Sequence, residues 1–279
     1  MSVIGIDQDL CSRCKICFKV CDRRYFQEES SGNIVYKNLT NNCNFCGHCI
    51  AACPENAIVC SLNWEDDTEV YSEPVVSYEK TLQLLRMNRS TRNYQDKKVP
   101  RELVEKVFNA MRYAPSSGNT RLWKYKVLSD PEIIKELGDI ISRTMYRYWG
   151  FNSYEQAKKY FESMGRQNIF NKAPIVIILY FERSAPNNTM YAIWGADTGV
   201  AITYGRLAAE SLGLGTCWMN VILGAISVRK EQILKILGIK GLVLGAMTLG
   251  FPAVKYIRPT PRAPLYVEGL DEDTIKINS

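Results

Sequence analysis

The arrangement of apolar and polar residues after residue 77 predicts alternating helices and strands. Ser77 is a suitable helix N-cap for a helix that runs to about Met87, and Pro100 fits the first turn of the next helix. In that second helix the apolar residues fall on one face, as they do in an amphipathic helix. Trp123, Tyr125 and Val127 then alternate with lysines and predict a half-buried strand.

The remaining C-terminal part continues the same mixture of elements. Asp130-Pro131 opens a short helix, and the apolar run Ile175–Phe181 predicts a fully buried strand. A helix over about 189–212, a glycine-rich turn over 213–215, a helix over about 228–237 and a strand over 242–249 follow. The segment from Lys255 is proline-rich and is expected to be extended. Together these elements predict an α+β fold.

The first sixty residues follow a different pattern. Gly32-Asn33 separates two short β-prone segments and predicts a small hairpin. Residues 61–77 carry acidic side chains and Pro74 but no clear periodicity. We therefore predict a small domain over 1–60, an acidic linker over 61–77 and a larger domain over 78–279.

Composition and charge exclude several classes of protein. Of the 279 residues, 46% are hydrophobic and 23% are charged, which is typical of a globular protein and unlike a disordered or collagen-like chain. The longest apolar run is too short to cross a bilayer, and residues 1–11 lack a signal-peptide pattern. The net charge of +6 is not concentrated in a Lys/Arg run of the kind that binds nucleic acid. We expect a cytoplasmic protein without a nucleic-acid or membrane partner.

The cysteines carry the strongest chemical signal. Nine of the ten lie in the first sixty residues, and eight of them form two runs with the spacing C-x2-C-x2-C-x3-C. In such runs three cysteines bind one iron–sulfur cubane and the fourth binds the other cluster. We predict that the first cysteine quartet (Cys11, Cys14, Cys17 and Cys53) and the second cysteine quartet (Cys43, Cys46, Cys49 and Cys21) each hold one [4Fe–4S] cluster.

Zinc is the alternative ligand for these cysteines. Zinc sites typically use paired C-x2-C units with a longer gap, so the tight rows favour clusters. Cys53 is followed by Pro54, as is usual after the last ligand, whereas Cys21 is followed by Asp22. Residues 1–60 thus resemble a bacterial 2[4Fe–4S] ferredoxin. Cys60 belongs to neither quartet and is expected to be a small packing residue.

Three segments of the larger domain suggest a phosphate-bearing aromatic cofactor. Residues 89–94 place two arginines around a serine, residues 114–119 form a polar loop between a helix and a strand, and residues 213–218 begin with Gly-Leu-Gly. Neither a G-x-G-x-x-G motif after a strand nor a P-loop is present. The domain also lacks histidine, which excludes Ser-His-Asp and Cys-His catalysis there, and we assign no catalytic side chain.

In their order and separation these segments resemble the FMN-dependent nitroreductase family over about residues 78–279. The resemblance implies an α+β sandwich that forms a homodimer with FMN at the interface. It also implies roles for three groups of residues: one for the phosphate and ribityl chain, one for the isoalloxazine loop of the partner subunit, and one for the backbone near the flavin edge. These are Arg89, Ser90, Arg92, Arg258 and Arg262; Pro115, Ser116, Ser117 and Asn119; and Gly215, Thr216 and Cys217. The family often has Gln-Pro-Trp where this chain has Arg121-Leu122-Trp123, which leaves the role of Arg121 open.

The combined resemblance implies an oxidoreductase that passes electrons from two [4Fe–4S] clusters to FMN and on to a small organic acceptor. A nitroaromatic, a quinone and an activated alkene are all compatible acceptors, and a ferredoxin or NAD(P)H is the expected electron donor. Two alternatives stay open: a non-enzymatic redox relay or sensor, and a deiodinase or flavin-cleaving variant of the same fold. The aromatic segment 140–165 is expected either to cover the flavin or to pack in a dimer core.

Overall fold

The computed structural model describes residues 3–61, 76–166 and 168–263, and the chain divides into two units. The first unit comprises Met1–Glu73 together with Pro115–Leu122, and the second comprises Pro74–Ala114 together with Trp123–Ser279. Most of the predicted acidic linker, and the end of the proline-rich tail beyond residue 263, lie outside the described residues.

Two small antiparallel ribbons and two short helices form the first unit. In the first ribbon β1 pairs with β4, and in the second β2 pairs with β3. Gly32 adopts a φ of +79° between β2 and β3, so the predicted hairpin is confirmed. The elements are β1 (Val3–Ile6), α1 (Ile16–Val20), β2 (Phe26–Glu28), β3 (Ile34–Tyr36), α2 (His48–Ala51) and β4 (Ile58–Cys60), with a short 3₁₀ turn at Ser117–Asn119.

The core of the first unit is small. Its fully buried apolar residues are joined by half-buried cysteines from both runs, so thiols take up space that a larger domain would fill with aliphatic side chains. A domain of this size seldom folds on apolar burial alone. The buried members are Val3, Phe26, Ile34, Phe45 and Ile58.

The second unit contains six helices and four strands among its described residues. Side chains cap several helices: Ser77 accepts a hydrogen bond from the Lys80 backbone N–H, and Asp130 accepts one from Glu132. The elements are α3 (Tyr78–Met87), α4 (Arg101–Met111), β5 (Lys124–Leu128), α5 (Pro131–Met145), α6 (Tyr154–Ser163), β6 (Ile175–Phe181), α7 (Asn188–Ser211), β7 (Gly215–Trp218), α8 (Val221–Leu237) and β8 (Leu242–Gly250).

The four strands form one antiparallel sheet in the order β5-β6-β8-β7, with helices on both faces. Gly245 of β8 faces Ile202 of α7, and a Cβ at Gly245 would lie 2.6 Å from that side chain. The next residue, Ala246, belongs to the core that α5 and α8 cover. Because neighbouring strand residues point to opposite faces, α7 and α8 lie on opposite sides of the sheet. The predicted α+β sandwich is confirmed.

Three elements of the second unit differ from the sequence prediction. The helix that begins at Pro131 has 15 residues and is not short. Helix α8 begins at Val221 and contains a break at Arg229, where φ is −129° and ψ is 46°, so only its second half follows the predicted range. In β5, Val127 is 41% exposed while Leu128 is buried, so the predicted alternation fails at the end of this edge strand.

None of the helices in the described ranges is long and apolar enough to cross a membrane.

Candidate functional site

The first cysteine quartet lines one pocket of the first unit. Cys11, Cys14 and Cys17 come from the loop before α1 and from its first turn, and Cys53 follows α2. The pocket has about 340 Å³ of empty space. Its other lining residues are Ile6, Ser12, Lys15, Ile16, Ile34, Glu55, Ala57 and Ile58. The four thiols that the spacing assigns to one cluster therefore border the same space.

The second cysteine quartet comes together around Cys49. Burial raises the pKa of Cys49 to about 12, and the neighbouring thiols of Cys21, Cys46 and Cys43 add to the increase. Cys21 belongs to the first run in sequence but lies with the second run in space. The structure therefore brings together the crossed grouping that a two-cluster ferredoxin requires.

The donor set of the first unit fits iron–sulfur cubanes. Burial also raises the pKa of Cys17, so one thiol of each quartet favours its protonated form until a metal displaces the proton. Among the described residues, no three Cys, His, Asp or Glu side chains converge on a point where a single ion would bind. Cubanes need their four thiolates spread around a larger body than a tetrahedral zinc ion does.

A tyrosine hydroxyl faces the second cysteine quartet. The Tyr36 hydroxyl oxygen is buried and makes no hydrogen bond of ordinary geometry within the described part of the chain. Burial and the neighbouring Cys43 thiol raise the pKa of Tyr36, which keeps this hydroxyl protonated. A buried donor without an acceptor is uncommon and indicates an acceptor that binding would supply.

In the second unit, two of the predicted cofactor segments lie side by side. Ser90 and Thr216 form a parallel bridge, and the Thr91 backbone N–H donates to the Thr216 carbonyl at 2.8 Å. Gly215 allows this approach, because a Cβ there would lie 2.5 Å from Thr91 Oγ1. Residues more than 120 positions apart in the chain thus share one edge of the sheet.

Four arginines, which we call the arginine group (Arg89, Arg92, Arg166 and Arg206), surround this edge. Arg89 Nη2 and Arg166 Nε are buried and lack hydrogen-bond partners among the described residues. Arg206 Nε donates to Thr216 Oγ1 at 3.4 Å, and burial lowers the pKa of Arg206. Buried guanidinium nitrogens without acceptors suit an anionic ligand such as a phosphate.

Cys217 lies beside the arginine group. Burial raises the pKa of its thiol, whereas Arg92, the Ser90 hydroxyl, Arg206 and Arg166 act in the opposite direction. Its backbone N–H donates to Thr248 Oγ1 at 3.1 Å. That N–H is therefore already satisfied inside the protein, and any contact of Gly215–Cys217 with a flavin has to use other atoms.

A hydroxyl pair supports the same edge from within the core. Tyr94 donates to the Thr91 carbonyl at 2.8 Å, and its oxygen lies 2.6 Å from Thr248 Oγ1. Tyr94 is 7% exposed, and burial raises its pKa, so it remains a neutral structural group. The pair fixes Thr91 on one side and Cys217 on the other.

The predicted isoalloxazine loop belongs to the first unit. Ser116 Oγ accepts from the Arg121 backbone N–H at 3.0 Å, which fixes the loop internally. Asn119 Nδ2 donates to the carbonyls of Asn44 and Phe45 at 3.1 and 2.7 Å. These carbonyls lie between two cysteines of the second quartet, so Asn119 binds the turn that carries them. Pro115 and Ser117 are exposed in the same loop.

The two tail arginines and the aromatic segment complete the set of predicted residues. Arg258 and Arg262 are exposed in the segment after β8. In the aromatic segment, Trp149 packs edge-on against the buried Phe161 with ring centroids 5.4 Å apart, while Tyr148 is 79% exposed. This segment is therefore partly core and partly surface.

Comparison with known families gives these sites a context. Residues 10–58 match the 4Fe-4S dicluster domain, and residues 85–251 match the Nitroreductase family. The second match covers more than half of the chain. The chain belongs to the nitroreductase family. The resemblance of the two parts to a ferredoxin and to a nitroreductase is thereby confirmed.

Individual relatives of this nitroreductase-family chain are distant. A protein of Methanothermobacter thermautotrophicus, whose name places it among the NADH dehydrogenase/NAD(P)H nitroreductases, is 27% identical over 66% of this chain and 83% of its own length. The FMN reductase [NAD(P)H] of Bacillus subtilis is 28% identical over 63% of this chain and 67% of its own. The crystal structure of a Desulfitobacterium hafniense nitroreductase with bound FMN superposes with a TM-score of 0.54 at 22% identity, over 67% of this chain and 98% of that one.

Sequence reasoning missed three residues of these sites. Arg166 and Arg206 lie outside the three cofactor segments, and only folding brings them beside Cys217. Tyr36 was assigned to the hairpin, and nothing in its spacing shows that its hydroxyl faces the second quartet.

Proposed function

We propose that this nitroreductase-family oxidoreductase binds FMN at the edge formed by residues 89–92 and 215–217 and two [4Fe–4S] clusters in the cysteine quartets. We further propose that electrons pass from the clusters to the flavin and then to a small nitroaromatic, quinone or activated alkene. The observation that carries the proposal is the joint presence of two cysteine quartets and an arginine group in which two buried nitrogens, Arg89 Nη2 and Arg166 Nε, lack acceptors among the described residues.

The arginine group accounts for phosphate binding in this proposal. Arg89 and Arg166 each have a buried nitrogen without an acceptor, and Arg206 reaches the edge through Thr216. A phosphate would complete these contacts with charge-assisted hydrogen bonds, which are stronger than neutral ones. Arg258 and Arg262 stay candidates for the same role from the tail.

The other residues orient and insulate the site. When bound, FMN supplies chemistry that joins one-electron and two-electron transfers, and the clusters carry single electrons. Tyr94 and Thr248 hold Thr91 and Cys217 in place, and Gly215 permits the close approach of the two segments. The second unit contains no histidine, so protons for the acceptor come from water or a tyrosine.

The expected partners follow from the same family. We propose a homodimer in which the FMN sites lie at the interface, with a ferredoxin or NAD(P)H as the electron donor. The named relatives include an FMN reductase [NAD(P)H] and NAD(P)H nitroreductases, which supports a nicotinamide donor.

Steady turnover tests this function. Anaerobically purified chain is supplied with dithionite, NADH, NADPH or a reduced ferredoxin and then with each acceptor class, and product formation is followed over many turnovers. The proposal expects continuous reduction of at least one small acceptor. Reduction of a protein partner alone would indicate a relay, and an absence of any turnover would indicate a sensor. A Cys49→Ser variant that keeps its FMN separates cluster-dependent from direct donation.

A further inference from the structure

The two cysteine quartets face different surroundings. The pocket of the first quartet is bordered by aliphatic side chains and by Lys15 and Glu55, and the Ala57 backbone N–H donates to Cys53 Sγ at 3.3 Å. At the second quartet a tyrosine hydroxyl faces the thiols. Two clusters of the same type held in such surroundings would not have equal reduction potentials, because hydrogen bonds to the sulfurs are one of the factors that set the potential.

Packing fixes the ring of Tyr36. It lies in β3, directly opposite Phe26 of β2, with the two ring centroids 5.4 Å apart. Tyr25 packs edge-on against the same ring at 6.0 Å. The ring is thus packed on both sides, and its hydroxyl oxygen is buried beside the Cys43 thiol without a hydrogen bond of ordinary geometry among the described residues.

The neighbours of this hydroxyl are sulfur atoms of the second quartet. Cys43 and Cys49 are the thiols that act on it most strongly, and both are proposed cluster ligands. A neutral hydroxyl has one proton to donate, and a metal-bound thiolate or sulfide is an acceptor for it. A bound cluster would therefore provide the acceptor that this buried donor lacks.

We propose that Tyr36 donates a hydrogen bond to a sulfur of the second cluster and raises the reduction potential of that cluster. The inference rests on the proposed function, since it requires the second cluster to be bound. Reduction adds one electron, and so one negative charge, to the cluster. A donor at the sulfur stabilises the reduced form more than the oxidised form, and no proton is transferred.

Potentiometric titration followed by electron paramagnetic resonance tests the inference on the full chain with its cofactors. In Tyr36→Phe the midpoint potential of one of the two clusters should fall, so that at its wild-type midpoint the ratio of reduced to oxidised cluster falls about tenfold, as expected for loss of a hydrogen bond to a charged group. The other cluster should not move.

Tyr25→Phe is the matched control. It removes a hydroxyl from the neighbouring ring, whose oxygen lies 3.1 Å from Thr40 Oγ1. Its potentials should equal those of the wild type. Equal potentials in Tyr36→Phe and the wild type, or an equal shift in Tyr25→Phe, would overturn the inference.

A second measurement assigns the proton. Hyperfine spectroscopy of the reduced protein in H₂O and D₂O should show an exchangeable proton coupling in the wild type that Tyr36→Phe lacks, and equal couplings in the two proteins would overturn the inference. Iron and sulfide analysis distinguishes a failure of the proposed function from a failure of this inference. A wild type that binds no clusters overturns the proposed function and this inference together, whereas a wild type with both clusters and an unmoved potential in Tyr36→Phe overturns the inference alone.

Discussion

The two units of the molecule differ in how their proposed ligand-binding residues are arranged along the sequence. In the first unit short, repeated spacings predict the proposed ligands. The fold adds one exchange between the two runs, because Cys21 lies with the second run and Cys53 with the first. In the second unit the candidate site arises only when distant segments meet, as Ser90 and Thr216 do. A linear pattern therefore predicts both cysteine quartets of the first unit, but only part of the candidate site of the second.

The units also differ in how they are stabilised. The described core of the first unit contains five buried apolar residues surrounded by half-buried cysteines. In the second unit a buried strand, β6, lies in the middle of a sheet that is covered on both faces. We expect the first unit to depend on its clusters for stability and the second to remain folded without its cofactor.

Loss of one proposed cluster ligand should have the largest effect on this contrast between the two units. Cys49→Ser should remove the second cluster, because Cys49 is the thiol around which the second quartet gathers. The iron content of the anaerobically purified protein should fall from about eight to about four atoms per chain, while the bound flavin is unchanged. Cys60→Ser, outside both quartets, should keep the full iron content. An unchanged iron content in Cys49→Ser would contradict the assignment.

Weaker phosphate binding is the next largest effect. Arg206→Gln removes a half-buried guanidinium from the arginine group while Thr216 stays in place. The dissociation constant for FMN, measured by fluorescence titration of the apoprotein, should rise about tenfold to a hundredfold. Arg101→Gln, which breaks an exposed ion pair with Glu105 on α4, serves as the control and should bind as the wild type does. Equal FMN affinities for the two variants would show that Arg206 does not contribute to FMN binding.

The close approach of the two cofactor segments can be tested by adding one methyl group. Gly215→Ala would bring a Cβ within 2.7 Å of Thr91 Cβ, so one of the strands has to move. We expect a loss of about 1–3 kcal/mol in the free energy of unfolding of the second unit, measured by denaturant titration. Gly195→Ala adds the same methyl group in α7, where a Cβ would meet nothing within 4 Å of the described structure, and should not destabilise the protein.

The smallest expected effect concerns the loop that belongs to the first unit. Asn119→Ala removes two hydrogen bonds to the turn that carries residues 44 and 45. Hydrogen–deuterium exchange in the segment 43–47 should become about fivefold faster, as expected for a loss of about 1 kcal/mol. Thr120→Ala, whose hydroxyl binds only the neighbouring Ser117 carbonyl, should leave that segment unchanged. Equal exchange in the two variants would argue against a role for Asn119 at this turn.

Sequence patterns predicted the strongly periodic parts of this fold well. The buried strand Ile175–Phe181 has the predicted bounds, and Ser77 caps α3 as expected. Strand β7 was not predicted, and its first residue, Gly215, was placed in the glycine-rich turn over 213–215, because four residues are too few to show a period. The early half of α8 was missed because its apolar residues surround the whole helix and form no single stripe.

The candidate sites show which features such sequence patterns do not predict. Cysteine spacing was enough to predict how the eight proposed ligands divide into two quartets, because the geometry of ligands within a short run depends on residues that are close in sequence. The positions of Arg166, Arg206 and Asn119 depend on contacts between residues that are far apart in the chain. Asn119 illustrates the difference: its motif predicts a flavin contact, which stays a prediction, and gives no sign that its amide nitrogen binds the carbonyls of residues 44 and 45.

The central claim is that one chain carries two iron–sulfur clusters and one flavin, with the clusters supplying the flavin. The most direct measurement is the anaerobic visible spectrum of the intact chain with iron, sulfide and flavin determined on the same sample. The account predicts about eight irons, about eight sulfides and about one FMN per chain, and bleaching of the cluster and flavin bands by one reductant. A colourless protein that contains zinc and lacks flavin would contradict it.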